Sequence, residues 1–233
     1  MTAGGPLLLA IDTATRRAVV ALGGPDGEPV MVDAWEAGHR HGEELLGRLE
    51  ALLEATGGGA PARSVLGRIA GVIVGTGPGA FTGLRVGLAT AKALAVGLDV
   101  PLAGVSTAGA LLAAAGEPTG TVLLPAGPSD RTLATAGHAE VVRAGEEAAV
   151  EAAVAGGSVL IAVDLPGRAP EDALARGLIA LEALPAALLQ LGAARLARGE
   201  RDDPATLGPE YVTLPRGVAR PGGAVTLQSG GGG

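Results

Sequence analysis

Two stretches of the chain hold residues whose types and spacing could do chemistry. The first is Gly75-Thr76-Gly77-Pro78-Gly79-Ala80-Phe81-Thr82-Gly83, a glycine-rich turn that follows an apolar run. Between a strand and a helix, such a turn aims backbone N–H groups at a helix N-terminus and can hold an anion. Its first six residues match G-x-G-x-x-A. A dinucleotide site also needs an acidic residue at the end of the next strand, whereas Asp99 precedes that strand. No Lys-Ser or Lys-Thr pair follows, so the loop is not a Walker loop. The competing reading is a tight turn whose glycines permit positive φ and the close approach of another segment, and the residues favour it. The second stretch is Asp12-Thr13-Ala14-Thr15, which ends the first apolar run. A carboxylate there could hold a metal ion and phosphates. A hydrogen-bonded turn closing a hairpin is the favoured reading.

The remaining candidates carry less. His39 and His41 lie two apart, with Glu43 and Glu44 nearby. Helical ligand pairs need a spacing of three or four to share a face, so a helix-entry role is expected instead. His138 is isolated, and Ser106 and Ser129 have no His and Asp arrangement around them to suggest a hydrolase triad. The chain contains no cysteine, which removes disulfides, thiolate catalysis and Cys-based zinc sites together.

These stretches must be positioned by regular elements. Leu7 to Ile11 reads as a buried strand. Ala18 to Leu22 and Pro29 to Trp35 read as two more, joined by short turns in an antiparallel meander. Gly42 to Thr56 switches to helical period, with Leu45, Leu46, Leu49, Leu52 and Leu53 forming a stripe. A strand over Ile69 to Val74 runs into the glycine loop, and a helix over Gly83 to Val96 leaves it. Leu102 to Val105 is a further strand, with Ser106 as N-cap of the helix through Ala115. The meander followed by alternation predicts a mixed sheet with helices packed on it.

The second half predicts strands at Thr121 to Leu124, Thr132 to Ala136, Ala139 to Val142 and Val159 to Val163. Helices are expected over Glu146 to Ala155 and over Pro185 to Arg198, the latter with proline in its first turn. Thr213 and its neighbours read as a last short strand. The element order suggests a second, degenerate copy of the first lobe. The expected domains are a first lobe over 1–106, a divergent second lobe over 107–216 and a flexible tail over 217–233.

Composition narrows the function. The chain has 233 residues, 48% hydrophobic, with one Trp, one Tyr and one Phe, and a net charge of −7. Nucleic-acid affinity comes largely from neutralising phosphates, and stacking platforms need aromatics. Autonomous nucleic-acid binding is therefore not expected. The opening residues lack the basic segment of a signal peptide, and the first apolar run is far too short for a membrane span. A cytoplasmic location is expected.

The helix after the glycine loop carries Gly83, Gly87, Ala91 and Ala95 at four-residue spacing. This spacing makes a shallow groove that another element can approach closely. Packing on the chain's own sheet and packing on a partner both remain open. With the leucine-stripe helix beside it, the pair could form a helical interface.

A family resemblance adds to this reading. Ala10-Ile11-Asp12-Thr13-Ala14-Thr15, His41-Gly42-Glu43-Glu44-Leu45-Leu46, Gly77 through Leu88, Ala91-Lys92-Ala93-Leu94-Ala95 and Gly104-Val105-Ser106-Thr107 agree in order and spacing with the bacterial TsaB family. Pro209-Glu210-Tyr211-Val212 is similar to that family's closing Pro-x-Tyr segment. The resemblance implies an α/β fold of two lobes, actin-like (ASKHA, ribonuclease H-like), with mixed sheets flanked by helices. It implies a non-catalytic subunit that pairs with its paralogue TsaD, joins TsaE in a ternary complex, and can form a homodimer in isolation. The machinery transfers a threonylcarbamoyl group to N6 of the adenosine adjacent to the anticodon in tRNAs reading A-starting codons. Catalysis and metal belong to TsaD, so no cofactor is expected in the isolated subunit, although ATP or ADP could sit at the complex interface.

The expected partner face comprises Leu45, Leu46, Leu49, Leu53, Phe81, Leu84, Arg85, Gly87, Leu88 and Ala91. In actin-like ATPases an aspartate at the place of Asp12 helps hold the metal and phosphates, usually with a glycine in the next two positions. Thr13 and Ala14 stand there instead. The family's Asp-Ala-Arg stretch in the second lobe is replaced by Leu124 to Thr132, where Asp130-Arg131 reads as a shifted remnant. An actin-like nucleotide-binding phosphotransferase or an M22-like peptidase is the alternative function.

Overall fold

The computed structural model describes residues 4–38, 40–155 and 157–212. The chain opens with three strands, β1 (Leu7–Asp12), β2 (Arg17–Gly23) and β3 (Pro29–Glu36). Each pairs antiparallel with the next, as the short turns between them require. Helix α1 (His41–Thr56) and a short helix α2 (Ala62–Leu66) lead to β4 (Ile69–Gly75), which lies parallel to β1. Helix α3 (Phe81–Leu98) then crosses over to β5 (Leu102–Val105), parallel to β4. The first sheet has the order β3-β2-β1-β4-β5. Strands β1 and β2 are buried almost along their whole length, as expected of a sheet covered on both faces.

Helix α4 (Thr107–Ala114) connects to a second sheet. The Ser106 hydroxyl accepts from the Gly109 N–H, so the expected N-cap is present. The second sheet contains β6 (Thr121–Ala126), β7 (Asp130–Ala134), β8 (Ala139–Val142) and, after α5 (Glu147–Ala155), β9 (Leu160–Ala162). Its order is β8-β7-β6-β9, with β6 to β8 an antiparallel meander and β9 parallel to β6. This repeats the arrangement of β1 to β4, so the expected degenerate copy exists in the topology.

Helix α6 (Glu171–Ala197) is one continuous helix of 27 residues. The sequence predicts a helix beginning at Pro185. Pro185 instead lies inside α6 and is buried. Proline in a helix interior costs about 3 kcal/mol. Burial of Ala180, Leu181, Leu184, Leu188 and Leu189 along the same helix offsets that cost. Near its end α6 packs against the first sheet, where Ile73 of β4 meets Gly192. A segment over 199–212 then returns along β5. The expected boundary at 106/107 falls just after β5, the last strand of the first sheet; α6 packs on α4 and on strands of both sheets, and the 199–212 segment runs beside β5. The expected tail over 217–233 and the strand near Thr213 lie outside the described residues.

By length and composition alone, α3 and α6 are apolar enough to cross a membrane. Both bury a face within the fold. On one side of the first sheet, α1 and α3 enclose Leu9, Ile11, Val20, Leu22, Val72 and Val74. On the other, α4 and α6 enclose Leu8, Ala10, Val19, Ala21 and Ile73.

Candidate functional site: the glycine loop, the interlobe cleft and the helical face

Asp12 ends β1 and is completely buried. Its Oδ1 accepts from the Ala14 N–H at 2.7 Å, an Asx-type turn, and its Oδ2 accepts from the Thr107 hydroxyl at 2.7 Å. Thr107 in turn accepts from the Gly77 N–H at 3.1 Å. The carboxylate thus joins the end of β1 to the start of α4, and α4 to the glycine loop. A Cβ at Gly75 would collide with the Asp12 carboxylate, so a glycine is required where β4 ends.

Three amides of the glycine loop are bonded within the chain. The Thr76 N–H donates to Val105 O at 2.9 Å, and the Ala80 N–H donates to Ala14 O at 2.7 Å. With Gly77 N–H on Thr107, three amides that could have faced an anion are engaged. The expectation of a tight turn that admits close approach describes the loop found here.

Thr13 settles the character of the small-residue stripe. Its hydroxyl donates to Gly83 O at 2.7 Å, and a Cβ at Gly87 would collide with that hydroxyl. Gly83, Gly87, Ala91 and Ala95 are all buried. The open alternative therefore closes on own-sheet packing: the stripe lets α3 lie against the end of β1, and it is not a groove left for a partner.

The expected face divides accordingly. Leu45, Leu49, Leu53, Leu84, Leu88 and Ala91 are buried within the chain itself, as is Gly87. Their periodicity reports the inner sides of α1 and α3, so they are corrected here from surface to core. Leu46 is 63% exposed, Arg85 is exposed, and Phe81 is half-buried. The outer side of α3 is a single stripe of Thr82, Arg85, Ala89, Ala93 and Val96, spaced three or four apart. Val96 is 67% exposed. On α1, Glu43, Gly47 and Glu50 surround Leu46 in the open. Sequence reasoning missed Val96 and Ala93. The same helical period that gave the buried stripe would have found them on the opposite face.

A cleft of about 850 Å³ opens beside the loop, between the two sheets. Pro78, Phe81, Pro125 and Tyr211 line it together with the charged residues Arg16, Asp130, Asp164 and Glu210. Asp164 accepts from the Arg16 N–H at 2.7 Å, tying the β1–β2 turn to the second sheet. Asp130 opens β7 and accepts from the Ala144 N–H at 3.2 Å. Among the described residues, no group of three or more His, Asp or Glu side chains is placed to hold a metal ion. His39 lies outside those residues. His138 sits at the β7–β8 turn, where its carbonyl accepts from the Thr135 N–H.

The 199–212 segment closes the site. Asp202 behaves like a strand residue on the edge of β5: its N–H donates to Leu102 O, and its carboxylate accepts from the Gly104 N–H. Arg195 holds that carboxylate from α6 at 3.0 Å. Further on, the Tyr211 ring lies 5.0 Å from the Phe81 ring, and the Arg85 guanidinium lies 4.8 Å over Phe81 as well.

Comparison with known proteins gives this geometry a family. The family model described as TsaD, tRNA N6-adenosine threonylcarbamoyltransferase, matches residues 35–194, more than half of the chain. The tRNA threonylcarbamoyladenosine biosynthesis protein TsaB of Escherichia coli is 37% identical over 100 residues, covering 43% of this chain and 40% of that protein. TsaB of Haemophilus influenzae is 36% identical over 110 residues, covering 47% of this chain and 43% of its own length. The chain thus matches less than half the length of these relatives. Among solved structures, an uncharacterized Pseudomonas aeruginosa protein with similarity to peptidase YeaZ superposes with a TM-score of 0.59 at 22% identity, covering 89% of this chain and all of that one. YeaZ from the same organism gives 0.57 at 22% identity, covering 88% and 99%. These likenesses establish the actin-like α/β fold. The chain belongs to the TsaD, tRNA N6-adenosine threonylcarbamoyltransferase, family, and over its matched part it is similar to the bacterial TsaB proteins.

Proposed function

We propose that the chain serves threonylcarbamoyladenosine biosynthesis on tRNA as a non-catalytic subunit that pairs with a TsaD-type transferase. A TsaE-type ATPase joins the pair, and the isolated chain forms a homodimer through the same face. The observation that carries the non-catalytic reading is the state of Asp12. At the place where actin-like ATPases hold metal and phosphates, this carboxylate is buried and bonded to Thr107 and to the Ala14 N–H. The Thr76, Gly77 and Ala80 amides are likewise bonded within the fold. A ligand drawn to Asp12 or to these three amides would have to displace bonds already made inside the fold, and breaking them costs free energy.

The pairing face consists of the outward residues of α1 and α3: Leu46 and its acidic neighbours, then Arg85, Ala89, Ala93 and Val96. It is apolar and small at the centre and charged at its edges, the composition expected of a protein interface. A cytoplasmic location follows from this role.

The cleft of about 850 Å³ favours the second reading, a nucleotide-binding phosphotransferase. Calorimetry on the isolated chain with Mg-ATP separates the two. The proposal expects no heat of binding up to millimolar nucleotide. Micromolar affinity would overturn it. Light scattering of the chain mixed with a TsaD-type protein tests the pairing half, which expects a one-to-one complex.

A further inference from the structure

We propose that Glu210 is a positioning residue, a clasp that fixes the glycine loop and the start of α3 in the shape they present to a partner. The partner half of this statement rests on the pairing reading above. The clasp itself does not.

The Glu210 N–H donates to Thr76 O at 2.8 Å, and the Glu210 Oε1 accepts from the Thr76 hydroxyl at 2.6 Å. Thr76 is therefore held at both its main chain and its side chain by one residue 134 positions away. The hydroxyl has a single proton, and Val105 O is its other acceptor, at 3.2 Å. The shorter, charge-assisted contact to the carboxylate takes that proton. Meanwhile Oε2 lies 3.4 Å from the Ser106 hydroxyl, at the start of α4.

The next residue, Tyr211, places its ring on Phe81, the first residue of α3, and Arg85 covers Phe81 one turn later. The segment is anchored upstream as well, by Asp202 on β5 and by Leu207 packed near Gly104. Asp202 and Leu207 secure the edge strand, whereas Glu210 and Tyr211 reach past it to the loop. Release of Glu210 would loosen the loop at Thr76 without unpairing β5.

Hydrogen exchange on the full chain, measured segment by segment, tests this. Glu210→Ala and Thr76→Val are each expected to speed exchange of amides within 76–85 by about tenfold. Amides of Leu102 to Gly104 should be unchanged. Glu210→Gln keeps a carbonyl acceptor for Thr76 and should restore most of the protection. The double variant Glu210→Ala with Thr76→Val should fall short of the sum of the two single changes, because both remove the bond between Thr76 and Glu210. Unchanged exchange in Glu210→Ala, or a glutamine variant no better than alanine, overturns the clasp. Should Glu210→Ala fail to fold, exchange in Thr76→Val decides the clasp by the same criterion. Affinity for a TsaD-type partner should fall in Glu210→Ala and recover in Glu210→Gln. If the wild-type chain does not pair at all, the pairing reading fails, and the exchange data still decide the clasp.

Discussion

The Thr107 hydroxyl donates to the buried carboxylate of Asp12 at 2.7 Å, across 95 positions of sequence. Thr107 also accepts from the Gly77 N–H, so one side chain links β1, α4 and the glycine loop. Asp12 and Thr107 thus tie three elements together by hydrogen bonds within the fold. What surrounds Asp12 is a network of internal bonds, with the second sheet joined through Asp164 and Arg16.

Replacing Thr107 with Val removes that donor at nearly constant volume. A buried acceptor that loses its partner costs about 1–3 kcal/mol. Urea denaturation should show a loss of stability in that range. A change under about 0.5 kcal/mol, the level of ordinary surface substitutions, would mean that the Thr107 bond to Asp12 contributes little to the fold.

Gly87→Leu should damage the fold itself. Its side chain would enter the space of the Thr13 hydroxyl, which is bonded to Gly83 O. Overpacking of this kind costs about 1–3 kcal/mol or more. Thermal melting should fall by several degrees, and soluble yield should fall with it. A variant that melts normally yet fails to pair would instead restore the stripe as a partner groove.

Leu46→Glu addresses the face that remains open. At 63% exposure the side chain makes few contacts within the chain. Stability should stay within about 0.5 kcal/mol of wild type, as for other surface positions. Affinity for a TsaD-type partner should weaken by at least about tenfold if Leu46 lies at the centre of the interface. Titration calorimetry gives both the affinity and the stoichiometry.

Much of the first lobe is legible in the sequence. Continuous apolar runs bounded by Gly, Pro and Asp place β1, β2 and β3, and the change to helical period places α1. The periodicity of the helical stripes is equally plain. A stripe shows that a face is covered, but not by what. Leu45, Leu49 and Leu53 are covered by the chain's own sheet, whereas the partner reading turns them outward. Pro185 misleads for another reason. Proline favours the first turn of a helix, yet here the buried positions of α6 run through it, from Ala173 to Ala193. The clasp is not legible at all, because nothing local links Thr76 to Glu210.

The start of α6 supplies a test by pH. Asp172 in its first turn is held below the ordinary carboxylate range, chiefly by its hydrogen bond from Arg176 at 2.7 Å. Glu200 is lowered in the same way, first by Arg198 and then by Arg195. A carboxylate whose value is lowered in the folded chain stabilises it above the unfolded value, and this is lost as pH falls through the folded value. Both pairs are at the surface, where solvent screens them strongly, so the effect belongs to local titration more than to global stability. Arg176→Ala should move the Asp172 titration upward toward the ordinary range, as followed by carboxyl NMR. An unmoved midpoint would remove Arg176 as the cause.

The central claim is that this chain is required for threonylcarbamoyl transfer without performing it. Reconstitution tests it most directly: an enzyme that makes the threonylcarbamoyl donor from threonine, bicarbonate and ATP, a TsaD-type transferase, a TsaE-type ATPase and tRNA, assayed for modified adenosine. The account predicts product only when this chain is added, full product with an Asp12→Asn variant that folds, and little product with Leu46→Glu. Modification at the same rate without the chain, or loss of product in a folded Asp12→Asn chain that still pairs, would contradict it.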